Sequence, residues 1–328
     1  MLMTIDAYSA QVIRCFKMGE SREKVMRSVL LAVGLFVFAA PSWAQQTSFD
    51  VEKSETEWRF DVGWKDANGK KRKAVFALPN ARIEKDLKVP LQFQTKDANE
   101  DIVEAINAYG KRTKGVQIKA VRRGDKVLIS GSSKSRKKMK KAKSELKKVQ
   151  RKARNQYLRK HGFTQLKGKI IPNHARHAYR YSDDLEPLAI ALGSGELKRR
   201  MYAKRALSFV QSIPYEKGRN GKDSGFRLPM SLLAKNKGDC DSKATLYLAL
   251  MKAAHPSLDS VFVYIKGHAF VGLGLKPQKN DVVFQADGRR WVLVEPVGPA
   301  LAPLGQGDAK SERKAKRGKI DIRRVKDD

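Results

Sequence analysis

Three features of this 328-residue sequence predict an α+β fold. Short runs alternate apolar and polar residues between Gly-containing turns, as half-buried strands do. Other stretches repeat apolar residues every three or four positions, as helices with one buried face do. The third feature is chemical. Cys240 opens a helical stretch, and two strand-like runs after it carry His268 and Glu295.

Lys24 and Arg27 precede an apolar run, Val29–Ala40, which leads into Pro41-Ser42-Trp43-Ala44-Gln45. A basic segment, an apolar core of this length and a small-x-small site predict an export signal cleaved after Ala44. The run falls short of the roughly 20 residues that span a bilayer. Residues 1–17 read as an upstream extension, because Met18 or Met26 would begin a more ordinary signal. Cleavage removes Cys15 and leaves Cys240 in an oxidising compartment, where cysteines normally pair or are absent. The formal charge of +34 includes five basic and three acidic residues in the first 44, so the mature chain carries +32. That charge favours acidic wall polymers or anionic lipid head groups as partners, and export makes nucleic acid the least suitable polyanion.

Residues 45–131 read as a small α+β domain. Trp58–Trp64 alternates as a strand, Asn68-Gly69 is a hairpin turn signal, and Lys73–Leu78 is the returning strand. Asn99–Tyr109 carries Ile102, Ile106 and Tyr109 on one helical stripe, and Val116–Val121 with Lys126–Ile129 forms a second hairpin. No catalytic constellation occurs here, so a structural or a substrate-binding role fits equally. After a break at Gly131-Ser132-Ser133, residues 132–162 form a basic amphipathic helix. Between Lys134 and Lys160 there are fourteen basic residues and one acid, Glu145. Met139, Ala142, Leu146, Val149, Ala153 and Tyr157 make a narrow apolar stripe that suits packing on a neighbour or contact with an anionic surface.

Residues 163–304 read as the catalytic domain. Leu185–Leu192 and Glu196–Gln211 are predicted helices broken at Gly193-Ser194-Gly195, with Leu197, Met201, Leu207 and Val210 as core positions. The helix at Cys240 has an apolar face of Leu246, Tyr247, Leu250, Met251 and Ala254, and Asp239 or Asp241 is a natural N-cap. Free amides and the helix dipole at that end favour a thiolate. The two flanking carboxylates oppose it, so both are expected to cap amides and to face away from the sulfur. Val261–Ile265 is an apolar strand, Lys266-Gly267 a turn, and His268 opens the next strand. Arg289–Val294 ends in Glu295-Pro296. If it lies antiparallel beside the His268 strand, Glu295 comes next to His268 and fixes its tautomer. Val282–Ala286 is a competing strand for the place between them. His174 and His177 have the spacing of a helical metal pair, but no further ligand cluster accompanies them, so neither metal nor cofactor is expected. The tail, 305–328, is almost wholly charged and reads as extended or disordered.

Gly238-Asp239-Cys240-Asp241, His268-Ala269-Phe270 and Glu295-Pro296 together resemble the transglutaminase-like superfamily of cysteine hydrolases. The likeness spans roughly Tyr181–Gly305 and extends to Phe209-Val210-Gln211-x-Ile213-x-Tyr215 and Arg227-Leu228-Pro229. It departs from that family's commoner pattern in having Glu, not Asp, as the third member. The resemblance implies a papain-like fold in which the Cys helix packs on an antiparallel sheet that presents His and acid. It implies Cys240 as nucleophile, His268 as base and Glu295 as orienting acid. An oxyanion hole would use the Cys240 amide with Gln211, or alternatively Tyr215, as side-chain donor. The expectation is an exported, periplasmic, envelope-associated peptidase or amidase that works through an acyl-enzyme thioester on a peptide or protein substrate. The alternatives are a protein-glutamine acyl transferase and a non-catalytic envelope binding protein on the same fold.

Overall fold

The computed structural model describes residues 2–5, 46–88, 91–216, 225–298 and 301–327. The export signal with its Ala44 site, and most of the polar loop Asn220–Gly225, lie outside these residues. Among the described residues no helix is long and apolar enough to cross a membrane.

The fold is α+β. In chain order the elements begin with β1 (Leu2–Ile5), β2 (Gln46–Lys53), β3 (Glu57–Lys65), β4 (Lys71–Pro79), α1 (Asn80–Lys88), α2 (Thr95–Arg112), β5 (Gln117–Arg123) and β6 (Lys126–Ser132). There follow α3 (Arg136–Lys160), β7 (Phe163–Leu166), β8 (Lys169–Pro172), α4 (His174–Arg180), α5 (Glu186–Ala191), α6 (Arg199–Ser212) and α7 (Pro229–Lys235). The last are α8 (Cys240–Ala254), β9 (Ser260–Ile265), β10 (His268–Leu273), β11 (Val283–Ala286), β12 (Arg289–Val294), α9 (Ala309–Lys316) and β13 (Asp321–Arg324).

The elements fall into two compact units whose border differs from the predicted one. The smaller unit holds residues 91–173 with β1. Its sheet runs β1-β6-β5, and β7 pairs with β8 as a separate hairpin. The basic helix α3 belongs to this unit. Its Ala153 is buried with Ile102 and Ile106 of α2 and Ala120, Val127 and Ile129 of the hairpin, while Leu146 and Val149 pack at the margin. Ser135 caps α3 by accepting from the Lys138 amide. The C-terminal part of the apolar stripe thus serves packing inside the unit, while Met139 stays outside this cluster.

The larger unit holds residues 46–88 and 174–327, so the first hairpin belongs with the elements that carry Cys240, His268 and Glu295 and not with 91–131. The reason lies in the partners of its buried face. Trp64 donates from its indole to Ser208 Oγ at 3.0 Å and meets Phe209 edge-on, both on α6. Gln46 and Asn236 exchange two side-chain hydrogen bonds, and Tyr181 donates to Asp86 at 2.6 Å. Alternation shows that a strand has a buried face without showing what covers it.

The central sheet of this unit is antiparallel with order β11-β12-β10-β9-β13. One face is packed by Val261, Val263, Phe270, Trp291 and Leu293 under Ala315 of α9. α8 packs on β9 and β10. The competing strand, β11, sits at the edge, and β10 pairs directly with β12 through Val271↔Val294 and Gly272↔Leu293. The charged tail is not extended or disordered in this fold. Asp308 caps α9, and β13 pairs with β9 from Asp321↔Tyr264 to Arg324↔Val261. A fifth strand of four residues is too short and too charged to show as alternation. Met201, predicted as core, is 54% exposed, whereas Leu207 and Val210 are buried.

Candidate active site

The segment leading to Cys240 is held by short-range geometry. α7 ends at Asn236 in the left-handed conformation, φ 48°, which asparagine tolerates better than most residues. Gly238 comes two residues later, and a Cβ there would stand 2.8 Å from Leu232 Cδ1, so any side chain at this turn would force that leucine of α7 to shift. Asp239 is the N-cap of α8, accepting from the Ser242 amide at 3.0 Å and the Ser242 hydroxyl at 2.6 Å. Such a cap contributes about 1 kcal/mol. Cys240 is thereby fixed as the first helical residue and is half-buried.

Asp241 does not follow the expectation that both acids face away. Its Oδ1 lies 3.4 Å from the Cys240 sulfur, which donates to it. Burial, then the charges of Asp241 and Asp239, push the Cys240 thiol well above its ordinary range, and only the Ala269 amide, which donates to the sulfur, works the other way. The helix start therefore holds a protonated thiol here and not the thiolate that the dipole alone would favour. Desolvation and two adjacent carboxylates outweigh a partial charge that acts over one turn.

The same Ala269 amide leads to His268. Ala269 follows His268 at the start of β10, so the sulfur is hydrogen-bonded by the residue next to the imidazole. His268 Nε2 hydrogen-bonds Glu295 Oε2 at 3.0 Å. This is the pairing predicted from an antiparallel β10 and β12. Burial works against a charged His268, but the hydrogen bond and charge of Glu295, reinforced by Asp308, hold its pKa above the ordinary value. Glu295 is itself buried, which raises its pKa despite His268 and Ser311, and its Oε1 has no hydrogen-bond partner among the described residues.

A second acid escapes the sequence reading. Asp308 Oδ2 lies 3.7 Å from the same Nε2, while Ser311 Oγ donates to Glu295 Oε2 at 3.3 Å and also to Asp308. Burial would raise the Asp308 pKa, yet donation from Ser311 and from the Ser311 and Lys310 amides lowers it overall. The signal was present: an Asp three residues before a Ser, at the start of a helical run, is an N-cap pattern. The surrounding lysines and arginines masked it. His268, Glu295 and Asp308 each bring one ligand atom to within 4.8 Å of the others, a grouping among the described residues that could receive a cation. His174 and His177 do not form a metal pair. His174 is buried against Phe262 and Phe226 and bonds Tyr264 through Nδ1 at 2.9 Å. Burial and then His177 push its pKa well down, so its 3.6 Å approach to Asp241 joins a neutral ring to a carboxylate.

Gln211 is not placed as an oxyanion donor. It is buried, and its two amide hydrogens go to the carbonyl oxygens of Glu295 at 2.8 Å and Ala302 at 2.9 Å. It fixes the backbone of the acid. Tyr215 is 40% exposed and stands beside Gly238: Glu216 N donates to Gly238 O, and Gly238 N to Pro214 O. Arg227 donates to both carboxylate oxygens of Glu216 at 2.5 and 2.7 Å, and its amide donates to Ser242 Oγ. Lys243, three residues after Cys240, is wholly buried and donates to Ile213 O at 2.5 Å and Gln211 O at 3.4 Å. Burial draws its pKa down to about 7.

No family model, curated protein or solved structure matches this chain, and the geometry of these side chains is what carries a functional reading.

Proposed function

We propose that this protein is an exported cysteine hydrolase of the transglutaminase-like kind, a peptidase or amidase built on a papain-like arrangement. The observation that carries the reading is the pair of bonds meeting at the start of β10: the Ala269 amide to the Cys240 sulfur, and His268 Nε2 to Glu295. With Nε2 committed to the acid, Nδ1 is the nitrogen left to serve the thiol. Because Cys240 is protonated at rest, the reaction runs by general-base catalysis and not from a preformed ion pair. His268 takes the thiol proton as sulfur attacks the carbonyl carbon, and gives it to the leaving amine as the C–N bond breaks. Water then attacks the thioester with His268 again as base, releasing the acid and the free thiol. The Cys240 amide and Tyr215 are the donors proposed for the oxyanion. An amine in place of water would make the same site an acyl transferase.

The raised thiol pKa favours a second reading, a binding protein that keeps the catalytic shape with an inert sulfur. The alkylation rate of Cys240 by iodoacetamide against pH, in the wild type and in His268→Ala, separates the two. A hydrolase shows a rate that falls at least tenfold in the variant at neutral pH. A rate that is negligible in the native chain, or indifferent to His268, overturns the hydrolase reading.

A further inference from the structure

The smaller unit contains a cavity that the proposed chemistry does not use. It lies between α3 and the β5–β6 hairpin and has a volume of 280 Å³. That is near the lower end of small-ligand pockets, roughly 300–1,000 Å³, and suits a single medium-length alkyl group better than a two-tailed lipid. Its apolar lining is Ile118, Ile129, Met139 and Leu146, joined by Lys143 and Lys147 from the same helix. Ile118, Met139 and Leu146 are only half-buried, so apolar surface is left open beneath two ammonium groups one helical turn apart.

We propose that this pocket binds the acyl chain of an anionic lipid, with Lys143 and Lys147 on its charged head. Charge complementarity selects the head group. Thirteen of the 25 residues of α3 are Lys or Arg against one acid, Glu145, so a cationic or zwitterionic amphiphile would meet net repulsion or no attraction. The apolar floor selects the tail, because a wall polymer without an alkyl chain leaves that floor wet. Lys147 is exposed, and its long stem lets the ammonium follow a head group at the rim while its methylenes cover the chain below. The site is independent of Cys240 and stands or falls without it.

Calorimetric titration of the full chain with decyl phosphate, butyl phosphate and decyltrimethylammonium, each below its aggregation concentration, tests this. Decyl phosphate is expected to bind one-to-one and about 100-fold or more tighter than butyl phosphate, since each buried methylene contributes about fourfold. Decyltrimethylammonium is expected to bind at least tenfold more weakly. Met139→Trp, which fills the floor, should weaken decyl phosphate at least tenfold, with the far-ultraviolet circular dichroism and the butyl phosphate affinity unchanged. Equal affinity for the two phosphates would mean attraction by charge alone and would overturn the proposal, as would wild-type binding by Met139→Trp. If that variant does not fold, a photoactivatable decyl phosphate decides: cross-links at Ile118, Ile129, Met139 or Leu146 support the site, and cross-links confined to other segments refute it.

Discussion

The carboxylate of Asp241 lies 3.4 Å from the sulfur of Cys240, its neighbour in sequence, and accepts the thiol hydrogen. That contact directs the thiol hydrogen to Asp241 and not to its proposed acceptor, His268. Asp241→Asn removes the charge and retains the shape, so the thiol pKa should fall and alkylation near neutral pH should quicken severalfold. The same variant should leave the thermal midpoint nearly unmoved. An unchanged or slower alkylation rate would show that Asp241 does not restrain the thiol.

The base has its own pH signature. His268 must be neutral to accept a proton, and its raised pKa places the acid limb of the alkylation profile above the ordinary histidine value of about 6.5. Glu295→Gln removes the acceptor charge and leaves burial, which disfavours the imidazolium. The limb should then move to below about 6.5. Asp308→Asn should shift it in the same direction by less, because Asp308 is the more exposed acid and lies farther from Nε2. Alkylation rates read between pH 4 and 9 check both. Limbs that do not move would separate His268 from its two acids.

Lys243 links stability to pH. Its folded pKa of about 7 lies below the unfolded value of about 10.4. Between the two, the unfolded chain binds a proton that the folded chain does not, so stability rises with pH there. Below about 7 both states are protonated and the full penalty of the buried charge is present. Relative to Lys243→Met, the wild type should gain up to about 2 kcal/mol between about pH 7 and pH 8.5, read from urea midpoints. The window stops there because Cys240, whose folded pKa is raised, begins to act with the opposite sign at higher pH. Parallel curves for the two proteins would show that Lys243 is not buried as a neutral amine.

The C-terminal stretch is structural. A chain ending at Gln306 loses β13 from the edge of the central sheet, Ala315 from its core and Asp308 and Ser311 from the site. A fall in the thermal midpoint of at least about 5 °C is expected, since two elements and a buried contact leave together. Scanning calorimetry checks it. A midpoint within a degree of the full chain would return this stretch to the status of a loose tail.

The nucleophile helix, the His268 strand and the Glu295 strand were legible because each carries a local signal: a cap, a turn and an apolar run ending in a charge. Their adjacency was one of two readings, since Val282–Ala286 competed for the place between them, and the direct pairing of β10 with β12 decides it. What was not legible depended on contacts distant in sequence. The buried face of β3 could not announce that Phe209 and Ser208 would cover it, and Gln211, expected as an oxyanion donor, is buried with its amide on two carbonyls. Asp308 was hidden by composition, because thirteen further charged residues between 305 and 328 surround one cap. The state of the thiol depended first on its burial and then on which way Asp241 turned, and neither shows in the sequence.

The last turn of α6 holds the two halves of the site to each other. Gln211 grips the backbone of Glu295 through its side chain, while its own carbonyl and that of Ile213 receive the ammonium of Lys243 from the nucleophile helix. Gly298 presses on the same Gln211 carbonyl so closely that a Cβ would stand 2.1 Å from it. Thiol and acid are therefore fastened to one strut and keep their spacing as a unit. For the proposed hydrolase, the spacing of the reactive groups is set in this buried helix end and not in the exposed segment that carries Tyr215.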